Sequence, residues 1–173
     1  GGDNEGGRPI HAAARDGFDK TVLLLLSLRA STDAQDNEGR TPCWAASFNG
    51  HAKVVRLLVM LRAAIDLPTR HRDTPLWAAS RENKLECIAV LAAAKANLMG
   101  AMEMSPISKA ADMGADEAVR LLAYLGSRLV EPAALNWEGG PFWRFFKDKK
   151  GRVRDSGLWE RIVEEGGDEG TPE

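Results

Sequence analysis

Two thiols, three imidazoles and the two pairs of adjacent glycines within the first seven residues are the groups in this 173-residue chain with the clearest capacity for chemistry. Cys43 and Cys87 could bind zinc, pair as a disulfide or attack an electrophile. A zinc site needs close-spaced ligands such as a CxxC pair with further Cys or His nearby, and neither cysteine has that company. Gly1-Gly2 and Gly6-Gly7 could cradle a phosphate, but the Lys and Ser/Thr that must follow the glycines of such a loop are missing. His11 and His51 stand singly, each at a position that suits structural hydrogen bonding. Catalysis, a cofactor and a metal are therefore not expected, and the two cysteines are expected to act as small hydrophobes in the core.

Charge and length narrow the classes further. The formal net charge is −2, so no global basic field gathers phosphate backbones, and nucleic acid is not an expected partner. The apolar runs Val22 to Leu26 and Ala89 to Ala94 fall far short of the ~20 residues that span a bilayer. With two cysteines and no visible signal peptide, a reducing soluble compartment is expected, cytoplasm or organelle stroma, with attachment to the periphery of a membrane complex as one form of it.

The elements that position these residues emerge from self-similarity. Arg8-Pro9-Ile10-His11, Thr41-Pro42-Cys43-Trp44, Thr74-Pro75-Leu76-Trp77 and Ser105-Pro106-Ile107-Ser108 recur along the chain. The same offsets carry Gly17 to Gly50, Asn83 and Gly114, and carry Leu25 to Leu58, Leu91 and Leu122. A hydroxyl N-cap followed by proline at the first helical position opens a helix. Gly or Asn about eight residues later closes it in a left-handed turn. A second helix follows, with a stripe at Val54, Val55, Leu57, Leu58 and Leu61 that is repeated at Cys87, Ile88, Val90, Leu91 and Ala94. Each helix pair needs neighbours to bury that stripe.

These residues resemble the ankyrin repeat family, whose pattern is a TPLH-type helix start, an Ala-Ala pair, a Gly-His turn and a Leu-Leu pair. Thr74-Pro75-Leu76-Trp77-Ala78-Ala79, and Asn49-Gly50-His51 with Val54-Val55-Arg56-Leu57-Leu58, carry the likeness, which covers Asp3 to about Ser127. The resemblance implies an all-α solenoid of four repeats starting near residues 3, 36, 69 and 100 and ending by 130, and a role in protein binding. There are departures. Trp44 and Trp77 stand where the family places a His that bonds between loops, and indole donates but cannot accept. Arg72 replaces Gly39, which predicts a different turn in the third loop. The fourth connector, Gly100 to Met104, is two residues short, which predicts a blunted loop. Asp3-Asn4-Glu5-Gly6 repeats as Asp36-Asn37-Glu38-Gly39, so further repeats upstream are expected, and Leu23 and Leu26 are expected to lie exposed for such a neighbour or a partner.

A solenoid presents one position of successive repeats as a row. Here that row is Arg15, Phe48, Arg81 and Asp112. Phe48 is the aromatic among charged counterparts, which makes it a binding anchor or a packing residue against a neighbouring loop; the anchor is favoured. Arg70, His71 and Arg72 form a basic loop tip, either simply solvated or facing an acidic partner segment.

From residue 131 to 173 the repeat stops, and six of the eleven aromatic residues gather there. Phe142, Trp143, Phe145, Phe146 and Trp159 are candidate partner-binding residues within a segment that reads as a small hairpin and a short helix, followed by an acidic, Gly-rich tail. Three uses compete for it: capping the fourth repeat, docking on another subunit, or resting on a membrane surface through its basic residues. The expectation for the whole is a non-catalytic interaction module, a scaffold or peripheral subunit of a larger assembly whose partners are other protein subunits. The alternative is a regulatory fragment of an enzyme whose catalytic domain lies elsewhere.

Overall fold

The computed structural model describes residues 6–99 and 105–129. They form helices α1 (Pro9–Arg15), α2 (Asp19–Ser27), α3 (Pro42–Asn49), α4 (Ala52–Met60), α5 (Pro75–Arg81), α6 (Leu85–Ala93), α7 (Pro106–Asp112) and α8 (Asp116–Leu129), with no strand among the described residues. The odd-numbered helices pack on one another as an inner layer, the even-numbered ones as an outer layer, and each pair closes on itself. The Gly100–Met104 connector and residues 130–173, with the hairpin, helix and tail expected there, lie outside the described residues.

Local chemistry sets each helix. Thr41 Oγ1 accepts from Trp44 N–H at 3.1 Å, Thr74 Oγ1 from Trp77 N–H at 3.2 Å, and Ser105 Oγ from Ser108 N–H at 3.1 Å. These N-caps satisfy donors that no intrahelical carbonyl can reach. Every inner helix ends in a paired left-handed turn: His51 N–H donates to Ala46 O at 2.9 Å and Gly50 N–H to Ser47 O at 3.3 Å. Gly17, Asn83 and Gly114 repeat the turn, all at positive φ. Helices α2, α4 and α6 end the same way, but on Arg29, Arg62 and Lys95 at φ 65°, 63° and 66°. Basic side chains there face the negative helix end, at a cost of about 1–2 kcal/mol each for the left-handed backbone.

The core is one continuous cluster between the layers. Ile10, Val22, Val54, Val55, Leu58, Leu76, Ile88, Leu91, Ile107, Val119 and Leu122 are buried, with Ala14, Ala46, Ala79 and Ala110 where the inner helices approach. Cys43 and Cys87 are free and buried among them, and burial pushes their thiols up to about 12 and about 11. The apolar stripe is not uniform along the stack. Leu61 lies just past the end of α4 and is 41% exposed. Leu24 in α2 and Leu28 just past its end are exposed while Leu26 packs half-buried on the core, so of the two leucines expected to lie open only Leu23 does. The geometric reason is that α2 has α4 on one flank and no described helix on the other.

Loop-to-loop bonds lock successive repeats. Asp33 Oδ1 accepts from Ala64 N–H at 2.8 Å, and one repeat later Asp66 Oδ1 accepts from Asn97 N–H at 3.0 Å. Arg70 N–H donates to Glu38 O at 2.9 Å. The third loop does not differ from the second, contrary to the reading of Arg72. Arg72 adopts φ 67°, nearly that of Gly39 at 76°, and its N–H bonds Thr69 O as Gly39 N–H bonds Asp36 O. Thr69 takes over from Asp36: its Oγ1 accepts from the N–H groups of His71 and Asp73 at 3.2 Å, as Asp36 Oδ1 accepts from those of Glu38 and Arg40. These bonds outweigh the left-handed strain of an arginine.

Candidate functional site: a cation–aromatic ladder on the inner helices

The inner helices place their N-terminal position and the position one turn later on the same face. On α3 that pair is Trp44 and Phe48, whose rings stack with centroids 5.1 Å apart and planes 12° from parallel. Cations from three elements cover these and the next aromatic. The Arg40 guanidinium lies 5.8 Å from the Trp44 centroid, and that of Arg81 lies 5.5 Å from Phe48 and 5.9 Å from Trp77. Lys109 Nζ, from α7, lies 5.5 Å from Trp77. The result is a ladder, Arg40, Trp44, Phe48, Arg81, Trp77, Lys109, that crosses three repeats, each cation held by the negative face of a ring.

At one end the ladder borders a cavity of about 350 Å³ between α1, α3 and α5, lined among others by His11, Arg15, Asp36, Arg40, Trp44, Phe48 and Arg81. Asp36 is committed: Oδ2 is 2.6 Å from Arg40 Nε, and Oδ1 accepts two backbone N–H groups. His11 is structural. Its Nδ1 accepts from Arg8 N–H at 3.0 Å, so Nε2 carries the proton and donates toward Ala34 O at 2.9 Å and Arg40 O at 3.1 Å. Trp44 and Trp77 occupy the same position in the next two repeats and cannot reproduce this double bond. Their Nε1 atoms are buried with no hydrogen-bond partner among the described residues.

The structure brings Arg15, Phe48 and Arg81 to one cavity. Phe48 is half-buried, and the groups on its faces are Trp44 and Arg81, both from inner helices. Asp112 is exposed at the last residue of α7 and does not line this cavity. Arg70, His71 and Arg72 are exposed at the third loop's tip, with His71 Nε2 3.3 Å from Glu38 Oε2 of the preceding loop. Phe142, Trp143, Phe145, Phe146 and Trp159 lie outside the described residues. Arg40, Trp44, Trp77 and Lys109 escaped the sequence reading as site residues. The signal was present in the i, i+4 spacing of Arg40-Trp44-Phe48 and of Trp77-Arg81, but it specifies neighbours on one helix face and not which repeat supplies the covering cation.

Asp73 is a further buried polar residue. Its Oδ1 has no hydrogen-bond partner among the described residues. Burial holds its carboxyl above the ordinary value of 3.8, against the opposing pull of His71, Arg81 and Lys109. Among the described residues no cluster of His, Cys, Asp or Glu could hold a metal ion, and no helix is long and apolar enough to cross a membrane.

No curated protein shows a match to the chain. A family model described as ankyrin repeats (3 copies) matches residues 2–71, and the helix pairs that follow continue its register through α8. Ankyrin repeats are generally protein–protein interaction modules, and the match over these residues supports an ankyrin repeat assignment.

Proposed function

We propose that this chain is a non-catalytic scaffold or peripheral subunit that binds a protein partner through the face of its inner helices, the loop tips and the aromatic segment between residues 131 and 173. One observation carries the reading above all: the Trp44–Phe48 stack is half-exposed and covered by Arg40 and Arg81, on a face where the flanking repeats present charged residues. Aromatics held rigid beside arginine are the residue types that dominate binding energy at interfaces. The exposed Arg70, His71 and Arg72 extend this surface to the loop tip, and Asp112 bounds it at α7.

The test is Phe48→Ala in the intact chain, with partner affinity and thermal stability measured together. Binding weakened by more than about 1 kcal/mol with a small change in melting temperature supports the reading. A collapse of the fold with no separable binding loss makes Phe48 a core residue and removes the anchor.

A further inference from the structure

The cavity beside the ladder has a chemistry more specific than protein binding in general. Three guanidinium groups line it, those of Arg15, Arg40 and Arg81, against the single carboxylate of Asp36. Asp36 is neutralised within the cavity by Arg40, so the lining keeps an excess of positive charge. Arg15 Nε donates to Asp16 Oδ1 at 3.2 Å and Arg81 pairs with Glu82, but both acids are exposed or half-exposed chain neighbours that do not line the cavity. Arg81 Nε lies 3.2 Å from Glu82 Oε1 yet makes no hydrogen bond. Its guanidinium lies within cation–π range of both the Phe48 and the Trp77 rings, 5.5 and 5.9 Å from their centroids.

An arginine attracted to two rings at once is restrained before any ligand arrives, and its guanidinium carries the N–H fork that matches a planar carboxylate. The half-buried rings of Trp44 and Phe48 form apolar walls beside the charges, where Coulomb attraction is stronger than in bulk water. A volume near 350 Å³ is at the small end for an organic ligand and suits a side chain. The ladder continues from the cavity along α5 to Lys109 on α7, a second cation in the direction an extended chain would take.

We propose that this cavity receives an aspartate or glutamate carboxylate from an acidic segment of the partner protein, clasped by Arg81 with Arg15 and Arg40 beside it. This inference rests on the reading that the inner-helix face is the binding face.

The experiment titrates the full chain with a short polyglutamate peptide in a calorimeter, beside polyglutamine of equal length and inorganic phosphate. Saturable binding of polyglutamate alone is expected. Arg81→Met, which keeps an apolar stem between the rings, weakens it at least about tenfold with the melting temperature held, and Arg81→Lys restores only part of it. Equal binding of polyglutamine, no saturable binding, or indifference to Arg81→Met each overturns the proposal. Displacement by phosphate at concentrations comparable to the peptide's replaces the acidic peptide with a free-anion site and overturns it too. If Phe48→Ala releases the partner while polyglutamate fails to compete for it, the surface stands and the ligand chemistry falls, so the two failures are told apart.

Discussion

The guanidinium of Arg81 lies 5.5 Å from the centre of the Phe48 ring, so the same position in consecutive repeats supplies an aromatic face and the cation that covers it. Neither residue makes this surface alone. Solenoid stacking sets the two side by side because each inner helix repeats the placement of the one before it.

Trp44→His would return to the second repeat the double hydrogen bond that His11 makes in the first. A histidine there can accept from Thr41 N–H and donate to the following loop, removing a buried indole N–H whose unsatisfied state costs about 1–3 kcal/mol. The denaturant midpoint is expected to hold or rise while partner binding weakens, since Phe48 loses its stacking partner. A loss of more than about 1 kcal/mol of unfolding free energy would show that indole packing outweighs the regained bonds.

Leu58 and Leu91 are fully buried at equivalent places in α4 and α6. Leu58→Ala and Leu91→Ala should each cost about 2–5 kcal/mol, because the cavity left between stacked helices cannot close without moving two repeats. Urea unfolding measures this, and losses below about 0.5 kcal/mol at both sites would contradict the packing described.

At Arg62 the backbone is left-handed, with φ 63°. Arg62→Gly is expected to stabilise the fold by up to about 1 kcal/mol, the strain relieved exceeding the extra freedom glycine gives the unfolded chain. Thermal melting decides the sign; destabilisation would mean that the arginine's charge at the helix end is worth more than its strain.

Asp73 gives a pH signature. Its carboxyl is raised in the folded state above 3.8, so between that value and the folded one the native protein binds more protons than the unfolded chain, and stability falls as pH rises through this window. Asp73→Asn should flatten that fall and leave the variant at least as stable as the parent near neutrality. Denaturation midpoints at several pH values between about 4 and 7 test it, and a parent whose stability rises across the window through this residue refutes the assignment.

How much of this was legible in the sequence differs from one residue to the next. The helix starts at Thr41, Thr74 and Ser105 and the turns at Gly17, Gly50, Asn83 and Gly114 depend on contacts within a few residues, and such local preferences repeat wherever the residues do. The buried stripe from Val54 to Leu58 was equally visible, since helical periodicity alone puts those residues on one face. Arg72 was misread because glycine at the equivalent position suggests a requirement, when hydrogen bonds to Thr69 suffice to hold an arginine in the same left-handed turn. The exposure of Leu24 and Leu28, the cavity beside Phe48, and the placing of Arg81 and Lys109 over rings from other positions were decided only by the tertiary structure. Each depends on the distance and rotation between successive helix pairs, and that geometry is set by how cores such as Ala46 against Ala79 pack, which no spacing along the chain encodes.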